Sequence, residues 1–152
     1  MGETASRRIS IRRAGPIDAS AIYRISKASF TDSWRKGTIY DDLSKDHSLY
    51  LVCFKGDHMV GYACYWFVLD EAQLVNVAVL PENRKQGLAK QLLEEGLMEA
   101  RRRHMKTMFL EVRASNLPAQ GLYRKYGFSV ITLRRGVYDM PREDGYIMKK
   151  VL

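Results

Sequence analysis

Apolar positions along this chain fall into alternating and helical runs that follow one another without a break. Ile9 and Ile11 alternate with polar residues, which predicts a first strand. Pro16 and Asp18 then open a helix with Ile17, Ala21, Ile22 and Ile25 on one face, running to about residue 30. Asp32 or Ser33 is expected to cap a second, short helix ending near Leu43. Residues 48–55 and 59–69 alternate and are rich in aromatics, so they read as an antiparallel hairpin turned at Gly56-Asp57. Residues 71–80 form a central strand whose second half, from Val75, is β-branched and nearly all apolar, as in a strand buried on both faces. Leu88, Leu92, Leu93, Leu97 and Ala100 then recur at helical spacing. Residues 107–113 form the next strand. Asn116 and Pro118 start a further helix that Gly127 stops. Strands at 128–133 and 146–151, joined by a polar loop with Gly136, Pro141 and Gly145, complete the chain.

The junction after residue 80 has a definite chemistry. Pro81 and Asn83 end a strand, Arg84 and Lys85 bring positive charge, and Gly87 stands where the next helix begins. The first N–H groups of a helix have no internal partner and the dipole makes that end positive. Such a junction suits a diphosphate. It serves equally as an ordinary strand-to-helix turn with solvated charges. It is neither a Walker loop nor a dinucleotide fingerprint, since both glycine patterns are absent.

A second feature is Glu111. It shares one face of its strand with Phe109 and Arg113, while Leu110 and Val112 take the other. A carboxylate inside an apolar strand is paired or functional. Spacing favours an ion pair with Arg113 or a cross-strand cation.

Composition narrows the class. The chain has 152 residues, with 46% hydrophobic and 28% charged, which fits a single soluble domain over 1–152. No apolar run approaches the ~20 residues of a membrane span. Net charge is +8, which points to polyanionic partners such as a phosphorylated cofactor. The basic pairs are dispersed, and Arg101 to Arg103 end a helix where cations offset its dipole. No nucleic-acid module is read from charge. Residues 1–6 fit the loose myristoylation pattern through Gly2 and Ser6, a pattern short enough to arise by chance. The hairpin register sets Cys53 opposite Val60 and Cys64 opposite Leu49, ~13 Å apart along the ladder and too far for a disulfide. Reduced cysteines fit a cytoplasmic protein. His47, His58 and His104 have no metal-ligand spacing.

Arg84-x-x-Gly87-x-Ala89, between an apolar strand and a helix, resembles the pyrophosphate loop of the GNAT N-acetyltransferases. Asn76-Val77-Ala78-Val79 precedes it. Leu110-Glu111-Val112-Arg113-x-Ser115-Asn116-x-x-Ala119-x-x-Leu122-Tyr123-x-x-x-Gly127-Phe128 follows. Together they span residues 73–128 and resemble the RimI-type ribosomal-protein-alanine branch of that superfamily. So do Phe30-Thr31-Asp32-Ser33-Trp34, Tyr138 and Glu143-Asp144-x-x-x-Met148. Ser33 replaces a usual Pro, Gly145 a usual Ala, and Val137 one of two usual tyrosines.

The resemblance implies an α/β (α+β) fold: a mixed, mostly antiparallel twisted sheet of about seven strands with helices on both faces. It implies acetyl-coenzyme A as co-substrate. The backbone around Val77, Ala78 and Val79 would meet the pantetheine arm, and Arg84, Lys85, Gln86, Gly87, Leu88 and Ala89 would hold the diphosphate. Asn116 would also contact the cofactor. Glu111 would be the general base and Tyr123 the general acid, with the Val77 N–H as oxyanion donor. Phe30, Trp34 and Tyr138 would border the acceptor. The implied acceptor is the N-terminal amine, an alanine, of a small-subunit ribosomal protein. A broader N-terminal or small-amine acetyltransferase is a second reading. A noncatalytic ribosome- or RNA-binding module is a third. Neither a membrane partner, a metal nor an oligomeric state is specified.

Overall fold

The computed structural model describes residues 8–152, so the 1–6 pattern lies outside the described residues. Seven strands form one sheet in the order β1-β2-β3-β4-β5-β7-β6. They are β1 Ile9–Arg13, β2 Ser48–Lys55, β3 His58–Val68, β4 Glu71–Val79, β5 Thr107–Arg113, β6 Ser129–Tyr138 and β7 Glu143–Val151. Among the described residues only β4 and β5 run parallel. The helices are α1 Ala19–Ser29, α2 Lys36–Leu43, α3 Leu88–Arg102 and α4 Leu117–Lys125.

The sheet separates two apolar cores. Leu88, Leu92, Leu93 and Leu97 of α3 and Tyr123 of α4 pack on Leu51, Ala63, Leu74, Val79, Leu110 and Val112. On the opposite face, Ile22 and Ile25 of α1 and Ile39 of α2 pack on Tyr50, Val52, Tyr62, Cys64 and Ala78. Period-two alternation along the strands divides apolar residues between these layers, so the expected sheet with helices on both faces is what forms.

Several expectations are corrected. Ile17 lies outside the helix face, 94% exposed, because Pro16–Asp18 is a 3₁₀ turn whose tighter winding rotates it outward. Neither Asp32 nor Ser33 caps α2. Arg35 holds that position, and Ser33 Oγ bonds Ser26 Oγ and the Trp34 carbonyl instead. Cys53 faces Gly61 and Cys64 faces Tyr50. A bulge puts one extra residue, Val60, into β3 and slips the register. Both cysteines are buried free thiols. Strands β6 and β7 are longer than their apolar cores, since hydrogen bonding carries pairing through charged positions as far as Tyr138–Glu143.

One irregularity positions everything that follows. Cys64 pairs Asn76 and Tyr65 pairs Leu74, so Val75 is an extra residue that bends β4. The β4–β5 ladder runs from Glu71–Thr107 only as far as Leu74–Leu110. Beyond it β4 keeps β3 and β5 keeps β7, and the two parallel strands diverge.

Candidate active site

The divergence exposes backbone. The Leu80 N–H donates to the Val60 carbonyl at 2.8 Å. Antiparallel alternation then makes Tyr62–Ala78 a bonded pair and leaves Val77 and Val79 with N–H and C=O turned away from β3, toward the cleft. The Val79 carbonyl is taken by Arg84 Nε at 3.0 Å. The Val77 N–H and C=O and the Val79 N–H remain. Ala78 differs from its neighbours, because its backbone is spent on Tyr62.

Arg84 therefore does two things. Its Nε ties the loop back to β4, while the rest of its guanidinium stays on the exposed side. Lys85 has φ +62° and Gly87 φ +76°, so successive residues turn their N–H groups into one concavity. Gly87 is the N-cap of the 15-residue helix α3, with no side chain closing the cap. A Cβ at Gly87 would meet nothing within 4 Å. The loop is open, solvent-facing and positive, with the helix-start N–H groups of Leu88 and Ala89 behind it. Such donors fit a diphosphate, and no carboxylate opposes them within Arg84–Ala89.

Asn116 caps α4, its Oδ1 accepting from the Ala119 N–H at 3.2 Å. Its side-chain NH₂ stays available. The buried Gln120 holds the same turn by donating to the Arg113 and Ala114 carbonyls, each at 3.0 Å. Tyr123 is 6% exposed in the α3–α4 core, edge-on to Phe128 at 5.9 Å. Its hydroxyl makes no hydrogen bond among the described residues. Burial pushes its phenol up, with Tyr138 adding to the effect, so it is a protonated donor throughout the neutral range.

Glu111 lies across the sheet from Tyr123, on the α1–α2 face. Its Oε2 accepts from Arg134 Nη1 at 3.0 Å, with the side chains 25% and 53% exposed. The cross-strand cation expected for Glu111 is thus present, two strands away on β6. Gly145 of β7 lies between them. A Cβ there would stand 2.8 Å from Tyr138 Cε2, 2.9 Å from Val137 Cγ1 and 3.4 Å from Glu111 Cγ. The missing methyl lets Tyr138 and Val137 close over the strand beside Glu111.

Glu111 borders a groove of about 390 Å³, lined also by Trp66, Gln73, Phe109, Arg134 and Ile147. Trp34 reaches it indirectly, stacked on Trp66 at 5.6 Å and 20°. Phe30 is packed into the α1–α2 core. Tyr138 lies under the Arg113 guanidinium at 4.3 Å. Its phenol is pushed up to about 12, chiefly by burial and then by Glu111, with Arg113 opposing. Arg113 also bonds the Asp139 and Pro141 carbonyls and Glu143, fixing the 139–142 turn. Trp66, Gln73 and Arg134 were missed in the sequence. Trp66 and Gln73 read as ordinary strand positions, and Arg134 as one of several dispersed basic pairs.

The arrangement is a carboxylate on one face, a phenol on the other, and free strand N–H groups in the cleft between. It can remove a proton on one side, stabilise developing negative charge in the middle and donate a hydrogen bond on the far side.

Comparison with known proteins shows the family of the chain. The model of the acetyltransferase (GNAT) family matches residues 19–128. The [ribosomal protein bS18]-alanine N-acetyltransferase of Escherichia coli K12 is 37% identical over 133 residues, 86% of this chain and 89% of that protein. The enzyme of that name from Haemophilus ducreyi is 37% identical over 134 residues, 86% of this chain and 92% of its own. The crystal structure of the E. coli ribosomal-protein-S18-alanine N-acetyltransferase superposes with a TM-score of 0.89 at 34% identity, covering 95% and 94% of the two chains. Ard1 from Thermoplasma volcanium superposes at 0.84 with 26% identity, covering 95% and 97%.

Proposed function

This chain belongs to the acetyltransferase (GNAT) family, and from that premise we propose that it acetylates the α-amino group of the N-terminal alanine of a small-subunit ribosomal protein. The relatives that share most of its length carry bS18-alanine N-acetyltransferase as their name. The observation that carries the chemistry is the divergence of β4 from β5, which begins after Leu74–Leu110, next to Glu111, and leaves the Val77–Val79 edge open.

Acetyl-coenzyme A supplies the acetyl group as a thioester. The Arg84–Ala89 loop holds its diphosphate through helix-start N–H groups and the Arg84 and Lys85 charges. The Val77 carbonyl and Val79 N–H pair with its amide arm as a neighbouring strand would. The side-chain NH₂ of Asn116 adds a donor beside that arm.

An α-amino group has a pKa of about 7.7–8.0 and is largely protonated near neutrality. It must lose a proton to act as a nucleophile. Glu111 stands at the groove with its carboxylate oriented by Arg134, and takes that proton. The Val77 N–H stabilises negative charge developing on the acyl oxygen. Tyr123 donates to the departing sulfur, its phenol protonated because it is buried. No protein nucleophile is needed. A ribosomal-protein acceptor puts the reaction in the cytoplasm, and no helix among the described residues is long and apolar enough to cross a membrane.

The test is an acetylation assay with three peptides: one starting with Ala, the same peptide N-blocked, and one offering only an internal lysine. Transfer to the free Ala terminus alone is expected. No transfer to any of them, with acetyl-coenzyme A bound tightly, overturns the acceptor assignment and turns the search to small amines.

A further inference from the structure

Asp42 is a buried carboxylate that the chemistry above does not use. It sits in the last turn of α2, where the helix dipole disfavours negative charge. Five groups surround it. Ser48 Oγ and Tyr50 OH donate to it, each at 2.7 Å, and Trp66 Nε1 at 3.0 Å. The Cys64 thiol and His47 Nε2 stand at 3.8 Å. A carboxylate so placed is a poor device for stability alone, since well-packed apolar residues commonly replace buried charges at no loss.

Its specific effect falls on Trp66. The indole N–H is drawn toward α2, which lays the ring against Trp34 at 5.6 Å and sets His47 edge-on at 6.1 Å. Trp66 is thereby held from three directions, and it lines the groove that contains Glu111. Trp34 belongs to the segment between α1 and α2, which Ser33 ties to α1 through Ser26 at 2.8 Å. One carboxylate thus links the end of α2, the α1–α2 segment and the groove wall.

We propose that Asp42 is a positioning residue for the acceptor: it fixes Trp66 as the wall against which the first residues of the acceptor peptide lie. This rests on the N-terminal acetyltransferase reading above. It says in addition which residues set the affinity of the peptide as opposed to that of the cofactor. Trp66, backed by Trp34, forms the contact, and Asp42 acts through it without touching the reacting atoms.

The experiment compares Trp66→Phe, Asp42→Asn and the double variant for kcat, peptide KM and acetyl-coenzyme A KM, using the Ala-starting peptide. Each single variant is expected to raise peptide KM about tenfold, as for loss of a hydrogen bond to a charged group. Both leave acetyl-coenzyme A KM unchanged and kcat within about twofold. The double variant is expected to be no worse than the poorer single one, because both remove the same link.

The chain has two tryptophans, so a Trp34→Phe background leaves Trp66 as sole reporter. There Asp42→Asn is expected to increase acrylamide quenching of the indole and lower its anisotropy. Unchanged peptide KM in Trp66→Phe overturns the proposal even if Asp42→Asn fails to fold. A lowered melting temperature with unchanged peptide KM in Asp42→Asn overturns it as well, since that is the signature of a structural role. Additive effects in the double variant do the same. Failure of the underlying reading looks different: the wild-type protein itself acetylates no N-terminal peptide.

Discussion

Replacing Tyr123 by Phe removes one oxygen from a site where its role can be isolated. The ring stays, and with it the edge-on contact with Phe128 at 5.9 Å. The hydroxyl has no hydrogen-bond partner among the described residues, so no buried acceptor is orphaned. The stability change is therefore about 0.5 kcal/mol or less, near the limit for substitutions that break no interaction. For a chain of this length that moves Tm by about 2 °C at most. Activity responds on another scale. A positioned proton donor contributes ~10²–10⁴-fold, which at about 1.36 kcal/mol per tenfold is ~3–5 kcal/mol of barrier. The pH profile adds a second check. Burial raises the Tyr123 phenol, so the donor stays protonated as pH rises through 8 and 9. The variant should run parallel to wild type there, lower by a constant factor. Thermal melts and single-turnover acetylation of an Ala-starting peptide across pH 6–9 measure both quantities. Wild-type turnover at every pH, or a deficit that disappears on the alkaline side, would refute the role.

Glu111→Gln should lower turnover ~10²–10⁴-fold while leaving acetyl-coenzyme A affinity unchanged; titration calorimetry and single-turnover kinetics separate the two, and lost cofactor binding with normal chemistry would sink the assignment. Gly96→Ala should destabilise despite the ~1 kcal/mol helix-propensity gain, because the new Cβ would lie 2.0 Å from Tyr65 Cζ. Overpacking of that kind costs ~1–3 kcal/mol, and a raised Tm would contradict the packing seen there. Asp18 accepts twice from Arg12 at 2.9 Å and once from the Gly15 N–H at 3.0 Å, which holds its carboxyl below the ordinary range, Arg12 first. A depressed carboxyl contributes stability above its unfolded pKa of ~3.9 and loses it as pH falls through the folded value. Arg12 is half-exposed, so the pair is worth about 1 kcal/mol or less. The Tm difference between wild type and Asp18→Asn should close below pH ~4, and a difference that widens with acid would reverse the sign.

Features written in local sequence were legible. The 84–89 junction joined a β-branched run to helical spacing across a glycine, and its φ of +76° at Gly87 meets that need. The Asn116 cap lay in a short-range signal and forms. Glu111 stood out because a carboxylate broke an apolar strand. Its partner Arg134 did not, since the pair depends on strand order and on a bare Gly145 between them. Bulges were hidden too: the extra residue Val60 shifted the cysteine pairing, and Val75 opens the cleft. Neither insertion changes composition or periodicity enough to show. Asp42 carries no local signal in the sequence, since only the tertiary fold brings Ser48, Tyr50 and Trp66 onto it.

The parting of β4 and β5 gives the two reactants separate doors to one point. The 84–89 loop proposed for the cofactor belongs to the α3 layer, and the groove proposed for the acceptor to the opposite one. Neither molecule has to leave before the other arrives, so kinetics should be sequential, with no acylated protein to trap. The two halves also answer to mutation independently. Changes behind Trp34, Trp66 and Asp42 can retune which chain end is modified while the donor half stays intact. An inhibitor that joins both reactants must thread the sheet itself.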